Sequence, residues 1–112
     1  MIEITAKNFD LTEGLKAHIN DKFSTLDRHA HNIISAGFVM EVDHPKHDDK
    51  QYVAEGHIKV KGETINAKAS SEDMYQSIDQ MMHKLDKQII KHDEKRQAKQ
   101  KAHMINHHQF KM

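Results

Sequence analysis

The sequence predicts an α+β domain of order β-α-β-β-β-α, a four-stranded sheet with two helices packed on one face. Three observations carry that expectation. Apolar and polar residues alternate in four short segments, and apolar residues recur at steps of three and four in two longer ones. Turn-forming residues separate the segments. At 112 residues the chain has room for one small domain with one core.

The first strand is read from Ile2, Ile4 and Ala6, which alternate with Glu3, Thr5 and Lys7. Asp10 and Thr12 then offer helix caps, and Leu11, Leu15, Ile19, Phe23 and Leu26 form an apolar stripe at helical spacing. This helix is expected to end between Arg28 and His31. Ile34, Ala36, Phe38, Met40 and Val42 make the inward face of a second strand. His44-Pro45 through Lys50 reads as a polar loop, because proline breaks a ladder and the acids and lysines resist burial. Gly56, Ile58 and Val60 face inward on a third strand, Lys61-Gly62-Glu63 turns the chain, and Ile65, Ala67 and Ala69 face inward on a fourth. Ser70 or Ser71 is expected to cap a long second helix running to about Lys101, with Met74, Ile78, Met81, Leu85 and Ile89 as its core stripe. The arrangement is dsRBD-like. The helix-free sheet face would carry Thr5, Glu41, His57, Lys59, Thr64, Asn66 and Lys68, with no aromatic platform for base stacking, so recognition of RNA through that sheet is not expected.

Charge is the informative property of the second helix. Lys84, Lys87, Lys91, Lys95 and Lys99 fall at steps of three or four and share one face, with ammonium groups about 5–6 Å apart. Cations at that interval on a rigid rod suit a phosphate backbone; an ordinary solvated face is the competing reading. The chain has 17 basic and 17 acidic residues and a net charge of zero, but the charge is polarised. From Lys84 onward there are eight cations and three acids, 8 − 3 = +5, which leaves 9 − 14 = −5 for the first 83 residues. Such a molecule meets a polyanion with one end.

Cysteine is absent, which removes disulfides and thiolate metal sites. No segment approaches membrane-spanning length and no leader pattern opens the chain, so a soluble cytoplasmic protein is expected. Eleven histidines raise a metal reading: His44, His47, Asp48 and Asp49 share one loop, and His103, His107 and His108 cluster near the end. A loop without fixed geometry or supporting groups makes a weak site, so no metal or other cofactor is expected. No nucleophile turn or phosphate-binding loop is present, which argues against an enzyme.

Several blocks carry a family resemblance. They are Ile4-Thr5-Ala6-Lys7-Asn8, Leu11-Thr12-Glu13-Gly14-Leu15, Lys22-Phe23-Ser24-Thr25-Leu26, Glu72-Asp73-Met74-Tyr75-Gln76-Ser77-Ile78-Asp79, Lys84-Leu85-Asp86-Lys87-Gln88 and Lys91-His92. Residues 1 to about 96 resemble the short ribosome hibernation-promoting factors and the related ribosome-associated inhibitor of bacteria. The resemblance implies a non-enzymatic protein, monomeric off the ribosome, that binds the small ribosomal subunit and the 70S ribosome. It would lie against 16S rRNA in the decoding channel, exclude mRNA and the A- and P-site tRNAs, and preserve idle ribosomes in stationary phase or stress. RNA-binding positions carry over to Lys84, Lys87 and Lys91, and to Lys22 and Arg28 near the end of the first helix; Thr25 stands where the family commonly has lysine. Lys95 extends the row by geometry. Residues 1–100 would be the ribosome-binding domain and 101–112 a mobile, histidine-rich basic tail. Long factors of this kind add a domain that pairs ribosomes, for which this chain has no room, so 100S pairing would need a separate modulation factor. A protein-interaction module acting through the tail and a histidine-rich metal binder are the alternatives.

Overall fold

The computed structural model describes residues 2–30, 33–43 and 51–109. The element order is that expected: β1 (Ile2–Lys7), α1 (Glu13–His29), β2 (Ile33–Asp43), β3 (Gln51–Val60), β4 (Glu63–Ser71) and α2 (Met74–Gln109). The sheet runs β1-β2-β3-β4. β1 pairs parallel with β2, while β2–β3 and β3–β4 are antiparallel. A parallel pair cannot be joined by a tight turn, and α1 supplies the crossover. Gly62 holds the β3–β4 turn at φ +94°, a conformation that costs residues with a β-carbon. The polar segment His44 to Lys50 lies outside the described residues.

Both helices bury their stripes on the same sheet face. Leu15, Ile19 and Leu26 of α1 and Met74, Ile78, Met81, Met82, Leu85 and Ile89 of α2 join Phe38, Met40, Ala54, Ile58 and Ile65 in one core. Leu11 and Phe23 pack at its margin, and the Phe23 ring meets Phe38 edge-on with centroids 5.9 Å apart. Helix α2 seats tightly on the sheet at Gly56. A β-carbon there would lie 2.6 Å from Met81 Sδ and 2.7 Å from Leu85 Cδ1, both in fully buried side chains.

The structure corrects three expectations. Ile34 is 57% exposed, because a register irregularity between Ile33 and Ser35 takes it out of the inward alternation. Neither Ser70 nor Ser71 is the cap of α2. Asp73 is: its Oδ2 accepts from the Gln76 N–H at 3.3 Å, and its carbonyl accepts the first helical bond from Ser77 N at 3.0 Å. A carboxylate at this position also meets the positive end of the helix dipole, whereas Ser71 braces the preceding turn by accepting from Asp73 N at 3.3 Å. Third, the helical backbone of α2 continues to Gln109, past the end expected near Lys101. The N-cap of α1 is Thr12, as expected, whose hydroxyl accepts from Leu15 N at 3.1 Å.

Candidate nucleic-acid interface

Helix α2 has two polar flanks beside its buried stripe, and they are built differently. The flank facing α1 carries Asp79, whose Oδ1 lies 2.6 Å from His18 Nε2 and 3.8 Å from Lys22 Nζ. The His18 ring in turn meets Tyr75 edge-on, 5.0 Å between centroids. Tyr75 thus packs across the helix pair at the rim, over Gly14, where a β-carbon would stand 2.8 Å from the tyrosine hydroxyl. Between the helices runs a cleft of about 230 Å³, with Leu26 and Met82 at its base and Lys22, Asp79, His83 and Asp86 around it. Lys22 therefore sits beside an acid, and Arg28 is exposed near the end of α1.

The flank facing β4 is a polar ladder. Lys84 Nζ donates to the Lys68 carbonyl at 2.8 Å, and Gln88 Nε2 donates to the Asn66 carbonyl at 2.8 Å. His92 Nδ1 meets Glu63 Oε1 at 2.5 Å. The spacing has a simple origin. Four helical residues advance about 6 Å and two strand residues about 6.8 Å, so side chains at i and i+4 reach alternate carbonyls of an outer strand. Among the described residues β4 pairs with β3 alone, and α2 supplies donors to two carbonyls of its outer edge, those of Asn66 and Lys68. Beside the ladder, Glu63, Thr64, Gln88, Lys91 and His92 border a second cleft of about 180 Å³.

Lys87 and Lys91 are exposed and have no ion pair or hydrogen bond among the described residues. Lys84 is exposed as well and gives one of its three N–H groups to β4, so it shares the cationic face while also tying the helix to the strand. Lys95 and Lys99 lie on α2 with side chains outside the described part. The spacing of the sequence found Lys84, Lys87 and Lys91, but passed over Gln88 and His92, which continue the i, i+4 series from Lys84 into the ladder. Lys22 and Arg28 sit on α1, across the acid-lined cleft from this flank.

On the helix-free sheet face, His57 lies between two acceptors. Its Nδ1 is 2.5 Å from Asn66 Oδ1 and its Nε2 2.7 Å from Glu55 Oε1. The hydrogen bond to Asn66 is the largest cause that raises the imidazole pKa above 6.5; burial opposes it, and the hydrogen bond to Glu55 and its charge add to the rise. Among the described residues no group of three or more histidine, aspartate or glutamate side chains is arranged to hold a metal ion. The histidines of the 44–50 segment and of the tail fall outside the described side chains. No described helix is long and apolar enough to cross a membrane.

A mixed sheet covered on one face by two helices, with a cationic outer flank, defines a small α+β binding protein. Residues 2–97 match the family model described as Sigma 54 modulation protein / S30EA ribosomal protein. A ribosome hibernation promoting factor of Azotobacter vinelandii is 35% identical over 101 residues, covering 90% of this chain and 90% of that relative. One from Salmonella typhimurium is 30% identical over 94 residues, covering 84% of this chain and 94% of the relative. Among solved structures, a ribosomal subunit interface protein from Coxiella burnetii superposes with a TM-score of 0.70 at 27% identity, covering 82% of this chain and 96% of that one. The N-terminal domain of Thermus thermophilus Protein Y shares the fold, with a TM-score of 0.69 at 21% identity over 78% of this chain and 91% of that one. The chain belongs to the ribosome hibernation promoting factor family.

Proposed function

We propose that this protein is a non-enzymatic ribosome hibernation factor. It binds the small subunit on 16S rRNA in the decoding channel and silences translation by occupying the path of mRNA and the A- and P-site tRNAs. The observation that carries the reading is the family match over residues 2–97, which spans the exposed Lys87 and Lys91 of α2. A ribosome whose channel is filled by a rigid domain cannot load mRNA, and release needs no covalent chemistry because the contacts are electrostatic. Lys84, Lys87 and Lys91 are the principal phosphate contacts of this reading, with Arg28, Lys95 and, less directly, Lys22 in support. Residues after about Lys101 are dispensable for holding the small subunit, and pairing of ribosomes into 100S particles depends on a separate modulation factor.

The test is co-sedimentation with purified 30S and 70S particles across a salt series, joined to a translation assay staged by time of addition. Binding should weaken steeply with salt, and initiation on vacant ribosomes should be inhibited far more than elongation on ribosomes already carrying mRNA and tRNA. Equal inhibition at both stages would place the protein outside the channel. Truncation after Lys101 should leave 30S binding intact.

A further inference from the structure

We propose that the helix-free face of the sheet holds a binding site for a single guanine nucleotide, centred on Gly37. The site lies on the far side of the sheet from both helices and does not depend on ribosome binding.

Gly37 is the residue that calls for a ligand. The other three of the four glycines each have a structural reason. A β-carbon at Gly14 would stand 2.8 Å from the Tyr75 hydroxyl, one at Gly56 would stand 2.6 Å from Met81 Sδ, and Gly62 turns the chain at φ +94°. Gly37 has no such reason. It sits within β2, its φ is not positive, and a β-carbon there would meet nothing within 4 Å. Glycine weakens a strand, and within one it often marks a place where a ligand or another backbone comes close. Among the described residues nothing comes close to Gly37, so the approaching group belongs to a partner.

The lining identifies that partner. Register sets two rows of side chains across this face: Glu3, Gly37, His57 and Asn66 on β1 to β4, and Ser35, Lys59 and Thr64 on β2 to β4. They border a depression of about 300 Å³, at the small end for ligand pockets. Neighbouring strands are about 4.8 Å apart, so the Glu3 and His57 backbones stand about 10 Å apart across the bare Gly37 peptide. One planar ring system can lie on that floor. Both nitrogens of His57 are engaged, with Asn66 at 2.5 Å and Glu55 at 2.7 Å, so the imidazole is a fixed wall with no nitrogen left for a metal or for proton transfer.

Glu3 and Lys59 are exposed and have no ion pair or hydrogen bond among the described residues. Lys59, flanked by the Ser35 and Thr64 hydroxyls, offers donors from adjacent strands to a phosphate. The Glu3 carboxylate accepts only, and it repels a polyanionic backbone laid across the face. A base with two adjacent N–H donors suits it. Guanine N1–H and N2–H match the two carboxylate oxygens, whereas adenine and cytosine each present one amino group there and uracil one N–H. The face has no phenyl or phenol ring to carry a run of stacked bases, so the ligand is one nucleotide and not a strand.

The test is an NMR titration of the isotope-labelled full chain, with affinities from calorimetry, using GMP, AMP, inorganic phosphate and a short guanine-containing single-stranded RNA. GMP should shift the amides of Glu3, Ser35, Gly37, His57, Lys59 and Thr64 and bind about ten-fold more tightly than AMP, the effect of one charge-assisted hydrogen bond. Phosphate alone should shift the Ser35, Lys59 and Thr64 row and leave Glu3 unmoved. Gly37→Val puts a strand-favouring side chain into the depression, so it should keep the melting temperature and lose GMP binding. Glu3→Gln, an exposed change, should remove the preference for GMP over AMP. No GMP shifts at these residues at millimolar concentration, or GMP binding unaffected by Gly37→Val, overturns the site. Equal affinity of the unmodified protein for GMP and AMP overturns the guanine assignment. Tighter binding of the RNA at the same residues overturns the free nucleotide as the ligand.

Discussion

The two flanks of α2 carry similar residues in opposite electrostatic states. Toward α1, Lys22 and His18 converge on Asp79, and the cleft between the helices also holds Asp86. Toward β4, Glu63 meets His92, and Lys91 and, further round the helix, Lys87 have no carboxylate partner among the described residues. Exposure does not distinguish these cases, since Lys22, Lys84 and Lys87 all reach solvent. What distinguishes them is the group each ammonium meets: a carboxylate, a backbone carbonyl or water. Only the carboxylate offsets the charge; an ammonium that gives one of its three N–H groups to a carbonyl remains a full cation.

The comparison can be broken most directly by reversing charge on the β4 flank. Lys87→Glu with Lys91→Glu should weaken 30S binding on the order of 100-fold at physiological salt, with helical content unchanged. Filter binding together with circular dichroism checks both halves. Wild-type affinity in the double variant would show that the free lysines are solvent decoration.

Both flanks depend on how closely α2 seats. Gly56→Val inserts atoms where Met81 and Leu85 already touch the sheet, and should cost about 1–3 kcal/mol in chemical denaturation. A loss of only a few tenths would mean that the helix can lift without penalty.

The α1 flank can be sharpened by releasing its cation. Asp79→Asn removes the acid between His18 and Lys22, so it should raise 30S affinity several-fold while costing stability less than about 1 kcal/mol, because the partners are partly solvated. Unchanged affinity would confine the interface to the β4 side.

The smallest effect concerns His57, beside the β4 edge. Its pKa is raised in the folded protein, chiefly by the hydrogen bond to Asn66, so the folded state binds the proton more tightly than the unfolded chain does. The stabilisation is fully present below pH 6.5, the unfolded value, and is lost as pH rises through the raised folded value. His57→Gln should flatten that part of the melting-temperature profile. An identical profile in the variant would assign the pH dependence to other histidines.

Much of this molecule was legible in order along the chain. Side-chain period is a local property of strands and helices, so Leu15, Ile19 and Leu26, or Ile78, Leu85 and Ile89, declare their buried face without knowledge of what covers it. The family blocks around Asp73-Met74-Tyr75 and Lys84-Leu85-Asp86-Lys87-Gln88 are equally local, and Lys87 and Lys91 followed from spacing. Ile34 did not follow, because a register irregularity between paired strands interrupts an alternation that looks unbroken in one strand. Nor did the cap at Asp73, since three neighbouring polar residues could each have served and only the entry of the backbone into α2 selects one.

The state of each cation was the least legible feature, because it is set between elements. Lys84 and the Lys68 carbonyl are 16 residues apart in sequence, and the bond exists only because α2 lies along β4 at a pitch matching alternate carbonyls. Sequence alone determined where the charges are and which face is buried, since both depend on residue type and local geometry. Tertiary structure decided which partner each charge meets, because that depends on distances of a few ångströms between elements that only folding brings together.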